Sequence, residues 1–412
     1  MRADSVDDAR AADARAALVS RLEAEGALRP GPVRDALLEL RREVLMPQGW
    51  VRRTELDELP VHWQLLGWSV PADRAELVEV LHCGESVLIQ HDGEPVLGRE
   101  AGMRRTGGSM TSMSSGMLMT AVVMEQLGLR PGLRVLDVGT GAAVTCAVIA
   151  RVCGDRNVVS IDRDPHLTEA TRHHLAALGL HPTLVTGDGE TGWPTMAPFD
   201  RIFASYSLTR IPAPWLEQLA PGGMVLAHLT TGSPSWPALA VISKDTAGQT
   251  TGTLRPVRYG HRAGHGLDWI FLKKSFRDRI AVREGATVTR SRQAPPPDSA
   301  SGFWLAFNFL NPGRVRDGGA DHLVIGAPAC GSWVAARPED GGSWEVTSVG
   351  PRDIWEEIQH TAILWQAAGS PGTYALQFGP DRQQQVTAGS GPNTLTWTLP
   401  AASSPARPLR GA

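Results

Sequence analysis

The sequence predicts an α/β fold: a doubly wound, Rossmann-like sheet with N-terminal helices and an additional small C-terminal α+β domain. Three observations carry this. Between Arg134 and His228, strand-like apolar runs alternate with helical runs over short links, the pattern of βαβ units on a parallel sheet. A glycine turn, Gly139-Thr140-Gly141, follows the first of those runs and opens a helix, as at the ligand-binding edge of such sheets. At Gln293–Ser301, three consecutive prolines among Ser, Ala and Asp form a linker, and shorter β-like alternations follow.

In chain order, Asp8–Glu25 and Pro32–Val44 read as two amphipathic helices, separated by Gly26 and the Pro30–Pro32 turn. Ser86–Gln90, the Asp92-Gly93 pair and Pro95–Leu97 suggest a hairpin. A Gly/Ser/Met-rich loop over Thr106–Gly116 leads into a helix from Met117 to Leu129. Strands are expected at Arg134–Val138, Asn157–Ile161, Thr183–Thr186, Phe199–Ala204 and Gly223–His228, with helices at Ala142–Val152, Leu167–Leu178 and Pro214–Leu219. Trp269–Lys274 and Ile280–Val282 read as antiparallel edge strands. Beyond the linker, Phe303–Phe309, His322–Ile325, Ser332–Ala336 and Ser343–Val349 read as strands, with one helix over Arg352–Ala368. The resulting division is 1–105 (helices and hairpin), 106–290 (core), 291–302 (linker), 303–400 (C-terminal β-rich domain) and 401–412 (tail).

The net charge of −3 argues against nucleic acid as the main partner, since phosphate binding needs a basic excess or patch. No apolar run approaches the length of a bilayer span and no apolar h-region follows Met1, so a soluble cytoplasmic enzyme with no membrane partner is expected. The four cysteines form no CxxC pair; Cys146 and Cys153 sit in an apolar helical run and read as buried thiols. His173-His174 lies in a charged helical stretch and reads as a solvated face, so no metal is expected.

Three acids carry the chemistry. Asp137 ends an apolar strand just before Gly139, Thr140 and Gly141. The glycines suit a sharp turn against which a ligand lies. On this turn alone a dinucleotide and a methyl-donor reading start level. A pyrophosphate would be disfavoured by the acid so close to the helix N-terminus, whereas a cationic, phosphate-free ligand such as S-adenosylmethionine tolerates it. Asp162, followed by Arg163, ends the second strand; its carboxylate can accept both hydroxyls of a ribose, or it can cap the next helix, a role Asp164-Pro165 could fill alone. Asp188, between two glycines in Gly187-Asp188-Gly189, follows the third strand and can approach an adenine amino group while the backbone amide contacts the ring; the alternative is a plain turn.

Asp137–Gly141, Gly187-Asp188-Gly189, Ala197-Pro198-Phe199-Asp200 and Leu219-Ala220-Pro221-Gly222-Gly223 resemble, in order and spacing, the motifs of protein-L-isoaspartate O-methyltransferases. Upstream, Met113–Ala121 is similar to the family's Thr-Ile-Ser-Gln-Pro stretch and the helix after it, with Ser115 on the family's active-site serine. The resemblance runs over roughly residues 35 to 240. It implies a class I fold and S-adenosylmethionine as cofactor, with S-adenosylhomocysteine as product. Its implied cofactor residues are Asp137, Gly139, Thr140, Gly141, Asp162, Arg163, Asp188 and Gly189. Ser115 would orient the acceptor carboxylate, and Ser114, Ser205 and Ser207 would line the peptide cleft. The chain departs from the family at Ala142-Ala143-Val144, where a glycine and an aromatic are lost, at Gly116-Met117 in place of Gln-Pro, and at Arg42–Pro47. Gly350–Trp355, continuing to Trp365, resembles the extension of family members from lanthipeptide and graspetide maturation systems. That implies an aspartate of a ribosomally made precursor as acceptor, its ester collapsing to a succinimide that is kept as aspartimide or opened to isoaspartate. For Trp355 and Trp365 simple packing is the competing reading.

A carboxylate is ionised at neutral pH, so attack on a sulfonium methyl needs alignment and exclusion of water more than a base. For Ser115 the competing reading is a helix N-cap before Met117, and Ser109, Ser112 and Ser114 are neighbours able to take either part. The expected partner is therefore a peptide or protein bearing Asp or isoAsp. General isoaspartyl repair, a small-molecule methyltransferase and a non-catalytic binding module stand as alternatives, the last prompted by Ala143-Val144.

Overall fold

The computed structural model describes residues 2–55, 60–230, 238–257, 274–319 and 322–400. The N-terminal layer is helical: α1 (Arg2–Ala24), α2 (Pro32–Glu39) and α3 (Arg42–Leu45). Pro32 sits in the first turn of α2, where its missing N–H has no helical partner to lose. The single helix expected over Pro32–Val44 is broken, because Leu40 is extended. The break lets Leu37, Leu40 and Leu45 all reach the core.

β1 (Gln48–Arg52), β2 (His62–Gly67), β3 (Val87–His91), β4 (Arg104–Thr106) and β5 (Met110–Ser114) form a five-stranded antiparallel sheet ordered β4-β2-β1-β3-β5, with α4 (Arg74–His82) between β2 and β3. The Asp92-Gly93 turn forms: both residues have positive φ, and Glu94 N–H donates to the His91 carbonyl at 2.9 Å. The return strand expected at Pro95–Leu97 does not form. Pro95 has no N–H to give a ladder, and β3 pairs instead with β1 and β5. The Thr106–Gly116 segment, expected as loop, therefore contains β5.

The core follows as α5 (Met117–Gln126), β6 (Val135–Val138), α6 (Val144–Cys153), β7 (Val158–Asp162), α7 (Pro165–Ala177), β8 (Thr183–Thr186), β9 (Phe199–Leu208), α8 (Ala213–Gln218), β10 (Leu219–Leu229), β11 (Ala238–Lys244) and β12 (Thr250–Pro256). Cys146 and Cys153 are buried and free. Then come α9 (Lys274–Val282), β13 (Thr287–Ser291), α10 (Ser301–Leu310), β14 (Val315–Gly319), β15 (His322–Ala327), β16 (Ser332–Pro338), β17 (Trp344–Val349), α11 (Ile354–Ala367), β18 (Tyr374–Phe378), β19 (Gln384–Ala388) and β20 (Leu395–Thr398).

One ten-stranded sheet runs β20-β19-β18-β12-β11-β10-β9-β6-β7-β8. From β8 to β10 its neighbours are parallel, and from β10 onward antiparallel. The chain moves outward through β6, β7 and β8, then returns to β9 on the other side of β6. That reversal opens a crevice at the carboxyl ends of β6 and β9, where such sheets bind ligands. This parallel half is the class I methyltransferase architecture.

The segment 303–400, expected as one β-rich domain, is shared between two sheets. β18–β20 continue the large sheet through β12, while β14–β17 join β13, from before the proline-rich linker, in a separate sheet ordered β13-β17-β16-β15-β14. Phe303–Phe309, expected as a strand, is α10. Its residues 302 to 308 are all buried, and a helix buried all round loses the amphipathic signal that separates it from a strand. Ile280–Val282 is the end of α9 rather than a strand. Trp269–Lys274 lies outside the described residues except for Lys274, which begins α9, and the 401–412 tail lies outside them entirely. No helix among the described residues is long and apolar enough to cross a membrane.

Candidate active site

The crevice is built on buried carboxylates. Asp137 is fully buried and pairs in register with Ser160 on β7. It accepts hydrogen bonds from the Ser160 hydroxyl at 2.7 Å and the Thr145 hydroxyl at 3.1 Å, and Thr140 Oγ1 lies 2.7 Å from Ser160 Oγ. Burial raises its pKa to about 7, opposed by those two hydroxyl bonds. Asp137 thus props the glycine turn from inside.

Asp162, at the end of β7, holds the turn from the other side. Its carboxylate accepts from Gly141 N–H and Asp164 N–H, both at 3.0 Å, while its carbonyl accepts from Gly187 N–H at 2.9 Å. Asp164, not Asp162, caps α7, accepting from His166 N–H at 2.8 Å. Asp162 is therefore free of the capping duty and sits between the two glycine segments at the sheet edge. Burial raises its pKa, against the two backbone amides that favour its ionised form. Arg163 beside it is exposed.

The glycines are sterically required. A Cβ on Gly139 would lie 2.5 Å from Ser205 Oγ and 2.9 Å from Tyr206 Cδ1, and one on Gly189 only 2.1 Å from Val138 Cγ1. Ala143, where the family has glycine, keeps the glycine conformation, with φ 61° at the N-cap of α6. The departure noted at Ala143 leaves the turn intact, at the cost of a left-handed alanine. Asp188 is exposed and accepts from Glu190 N–H at 3.0 Å, so it also closes its own turn.

The N-terminal sheet brings the serines to this edge. Gln90 Nε2 donates to Asp164 at 2.7 Å. The position of a Cβ on Gly141 lies 3.5 Å from Ser112 Oγ and 3.7 Å from the Met113 carbonyl. β5 is therefore laid against the glycine turn, with Ser114 and Ser115 just beyond. Ser114 is buried and its hydroxyl accepts from Arg42 at 3.1 Å. Ser115 is half-buried, and the N-cap of α5 is Gly116, with no side-chain capping bond. The capping alternative for Ser115 thus fails.

Ser205 and Ser207 are placed differently from expectation. The Ser205 hydroxyl donates to the Gly139 carbonyl at 2.6 Å, which makes it a brace of the turn. Ser207 is 2% exposed, and its hydroxyl has no hydrogen-bond partner among the described residues. A register irregularity between β9 and β10 falls between Ala204 and Ser207 and interrupts the alternation, so residues two apart here need not share an environment.

Sequence reasoning missed Tyr206. Its ring covers Gly139, and its hydroxyl lies 3.6 Å from the Cβ position of Gly189. Its pKa is pushed up by burial first, then by Glu190, Asp188 and Asp162 around it. That carboxylate-rich surround suits a sulfonium cation and repels a pyrophosphate, so the residues present fit S-adenosylmethionine better than a dinucleotide.

Fold and crevice together define the class I methyltransferase fold. A family model for "Protein-L-isoaspartate(D-aspartate) O-methyltransferase (PCMT)" matches residues 105–259. A protein-L-isoaspartate O-methyltransferase of Ignicoccus hospitalis is 36% identical over 143 residues, covering 34% of this chain and 67% of that protein. Protein-L-isoaspartate O-methyltransferase 1 of Archaeoglobus fulgidus is 44% identical over 110 residues, 26% of this chain and 51% of that one. A solved structure of a protein-L-isoaspartate O-methyltransferase covers 91% of this chain and 99% of its own at 20% identity, with a TM-score of 0.48. The chain belongs to the protein-L-isoaspartate O-methyltransferase family. It spans 51% to 59% of the length of three of the curated relatives it matches.

Proposed function

We propose that the chain transfers a methyl group from S-adenosylmethionine to the side-chain carboxylate of an isoaspartyl or aspartyl residue in a peptide or protein. The observation that carries this reading is the seating of β5 on the glycine turn at Gly141, which puts the serine-bearing segment beside the cofactor-binding segment. When bound, the cofactor supplies an electrophilic methyl. Gly139 to Gly141, Asp162, Asp188 and Gly189 would hold it, with Thr140 and Asp137 bracing the turn and Arg163 at its rim. The Ser115 hydroxyl would orient the acceptor carboxylate, which is already ionised, and α5 and β5 would exclude water.

An isoaspartyl acceptor is the better supported substrate, because the relatives named above carry that activity in their names. The narrower reading, an aspartate of a ribosomally made precursor, rests on Gly350–Trp365. There Trp365 packs edge-on against Phe303 at 5.9 Å and donates to the Pro371 carbonyl at 3.0 Å. Trp355 packs on the same cluster, so both tryptophans serve the C-terminal core.

Methyl transfer to a short isoaspartyl peptide, its aspartyl counterpart and a precursor-type peptide tests the reading, with cofactor affinity by calorimetry. Ser115→Ala is expected to lower kcat by about tenfold or more, the worth of one hydrogen bond to a charged group, with cofactor Kd within about twofold. Absence of cofactor binding by the wild type would overturn the proposal, and unchanged kcat in Ser115→Ala would remove Ser115 from it.

A further inference from the structure

Arg42 carries a positive charge into the interior. It is 1% exposed, and its Nε has no hydrogen-bond partner among the described residues. Burial pulls its pKa down to about 10, so it stays charged at neutral pH. No carboxylate among the described residues lies within ion-pair distance of it. Its neighbour Glu43, with Cys83, acts on it only through space; Glu43 accepts from Arg41 Nε at 3.1 Å and lies 3.7 Å from Arg15 and 3.9 Å from His82.

The guanidinium reaches instead to two places that flank the acceptor segment. One terminal nitrogen donates to the Leu81 carbonyl near the end of α4, and the other donates to Ser114 Oγ at 3.1 Å. Ser114 Oγ in turn donates to the Ser115 carbonyl at 3.4 Å. Just past α4, the Gly84 carbonyl accepts from Met117 N–H at 2.7 Å. The run 81–84 and the run 114–117 are thus clamped together, with Arg42 as the charged member of the clamp.

We propose that Arg42 is a positioning residue for the methyl acceptor: it fixes Ser114, and through it Ser115, and its buried charge, bonded directly to no carboxylate, favours an anionic acceptor at that loop. This rests on the carboxyl-methylation reading. A charge in a low-dielectric interior acts over a longer range than one in water, and a buried guanidinium without a carboxylate is costly unless its site uses it. Arg42 donates its protons to Ser114 and Leu81 and takes no part in bond making.

Three variants test this in the full chain: Arg42→Met, Arg42→Lys and Ser114→Ala. Each is checked for folding by circular dichroism and for cofactor affinity by calorimetry. In Arg42→Met, kcat/KM for an isoaspartyl peptide is expected to fall about thirtyfold or more, mostly through KM, with cofactor Kd within about twofold. Arg42→Lys, which keeps the charge without the fork, should recover a large part of KM. Ser114→Ala, which cuts only the link, should lose about fivefold to tenfold in kcat/KM. Amide hydrogen exchange over residues 110–117 should quicken in Arg42→Met and Ser114→Ala, while residues 135–141 stay protected. Unchanged exchange over 110–117 in both variants would overturn the positioning role whatever the activity. So would a folded Arg42→Met with wild-type kcat/KM, or equal losses of cofactor affinity and kcat/KM in it with Ser114→Ala unaffected. If the wild type methylates neither an isoaspartyl nor an aspartyl peptide, carboxyl methylation falls, and with it the acceptor role of the Arg42 charge. The exchange measurement still reports separately on the clamp.

Discussion

The two halves of the ten-stranded sheet share one hydrogen-bonded ladder but hold different things. The parallel half buries Asp137, Ser160, Asp162 and His228. The antiparallel half buries Leu254, Tyr374, Leu376, Val386, Leu395 and Trp397, and its buried Gln384 is spent on the backbone of Ile211, at 2.6 Å and 3.0 Å. Parallel strands bring all their carboxyl ends and the following helix starts to one edge, and the reversal between β6 and β9 opens that edge. Antiparallel strands alternate direction, so no edge gathers chain ends of one kind. Chemistry therefore collects on one half, and the other half mainly covers apolar surface.

Trp397→Ala should produce the largest stability change. Its ring stacks on Phe309 at 5.2 Å and tilts against Tyr374 at 5.0 Å, so truncation should cost about 3 kcal/mol in denaturant unfolding. Cofactor Kd should stay within about twofold while the variant is folded. A parallel collapse of cofactor affinity would break the division of labour between the halves.

Asp137 sharpens the same comparison through pH. Burial pushes its carboxyl pKa up to about 7 in the folded chain, from an ordinary value of 3.8. Between those values the folded state binds more protons than the unfolded one, so this residue's contribution makes stability fall as pH rises through that window and level off above it. Asp137→Asn should flatten that slope. Urea unfolding at pH 5 and pH 8 checks it, and identical slopes for both proteins would show that Asp137 is ionised when folded.

The smallest expected effect is a gain. Ala143 holds a left-handed backbone at the N-cap of α6, so Ala143→Gly relieves that strain and loosens the unfolded chain. The net should be a rise of up to about 1 kcal/mol, read from the denaturation midpoint. A loss of stability would show that the turn is not strained at this position.

Much of the parallel half was legible because its signals are local. Strand and helix alternate at short spacing, the glycine turn is contiguous, and each acid sits at a strand end. The antiparallel half was not. β11, β12, β18, β19 and β20 come from distant stretches that acquire a common sheet only by pairing, and α10 is apolar on every side. At the site, Asp137, Asp162, Gly139 and Gly189 were readable as a ligand edge. The bracing by Ser160 was not, since it depends on the register that sets Asp137 opposite Ser160. Nor were the burial of Ser207 and the cover of Tyr206 over Gly139, which depend on how β9 packs against its neighbours.

By itself the sequence determined the doubly wound core, the glycine turn and the row of acids, because each depends on residues a few positions apart and on backbone rules that act locally. Only the tertiary structure decided what each serine bonds to, where the C-terminal strands attach and what Arg42 holds. The Arg42–Ser114 contact joins residues 72 apart, and a contact of that separation leaves no periodic trace in the chain; it exists only once packing has brought the N-terminal helices, β5 and the glycine turn together.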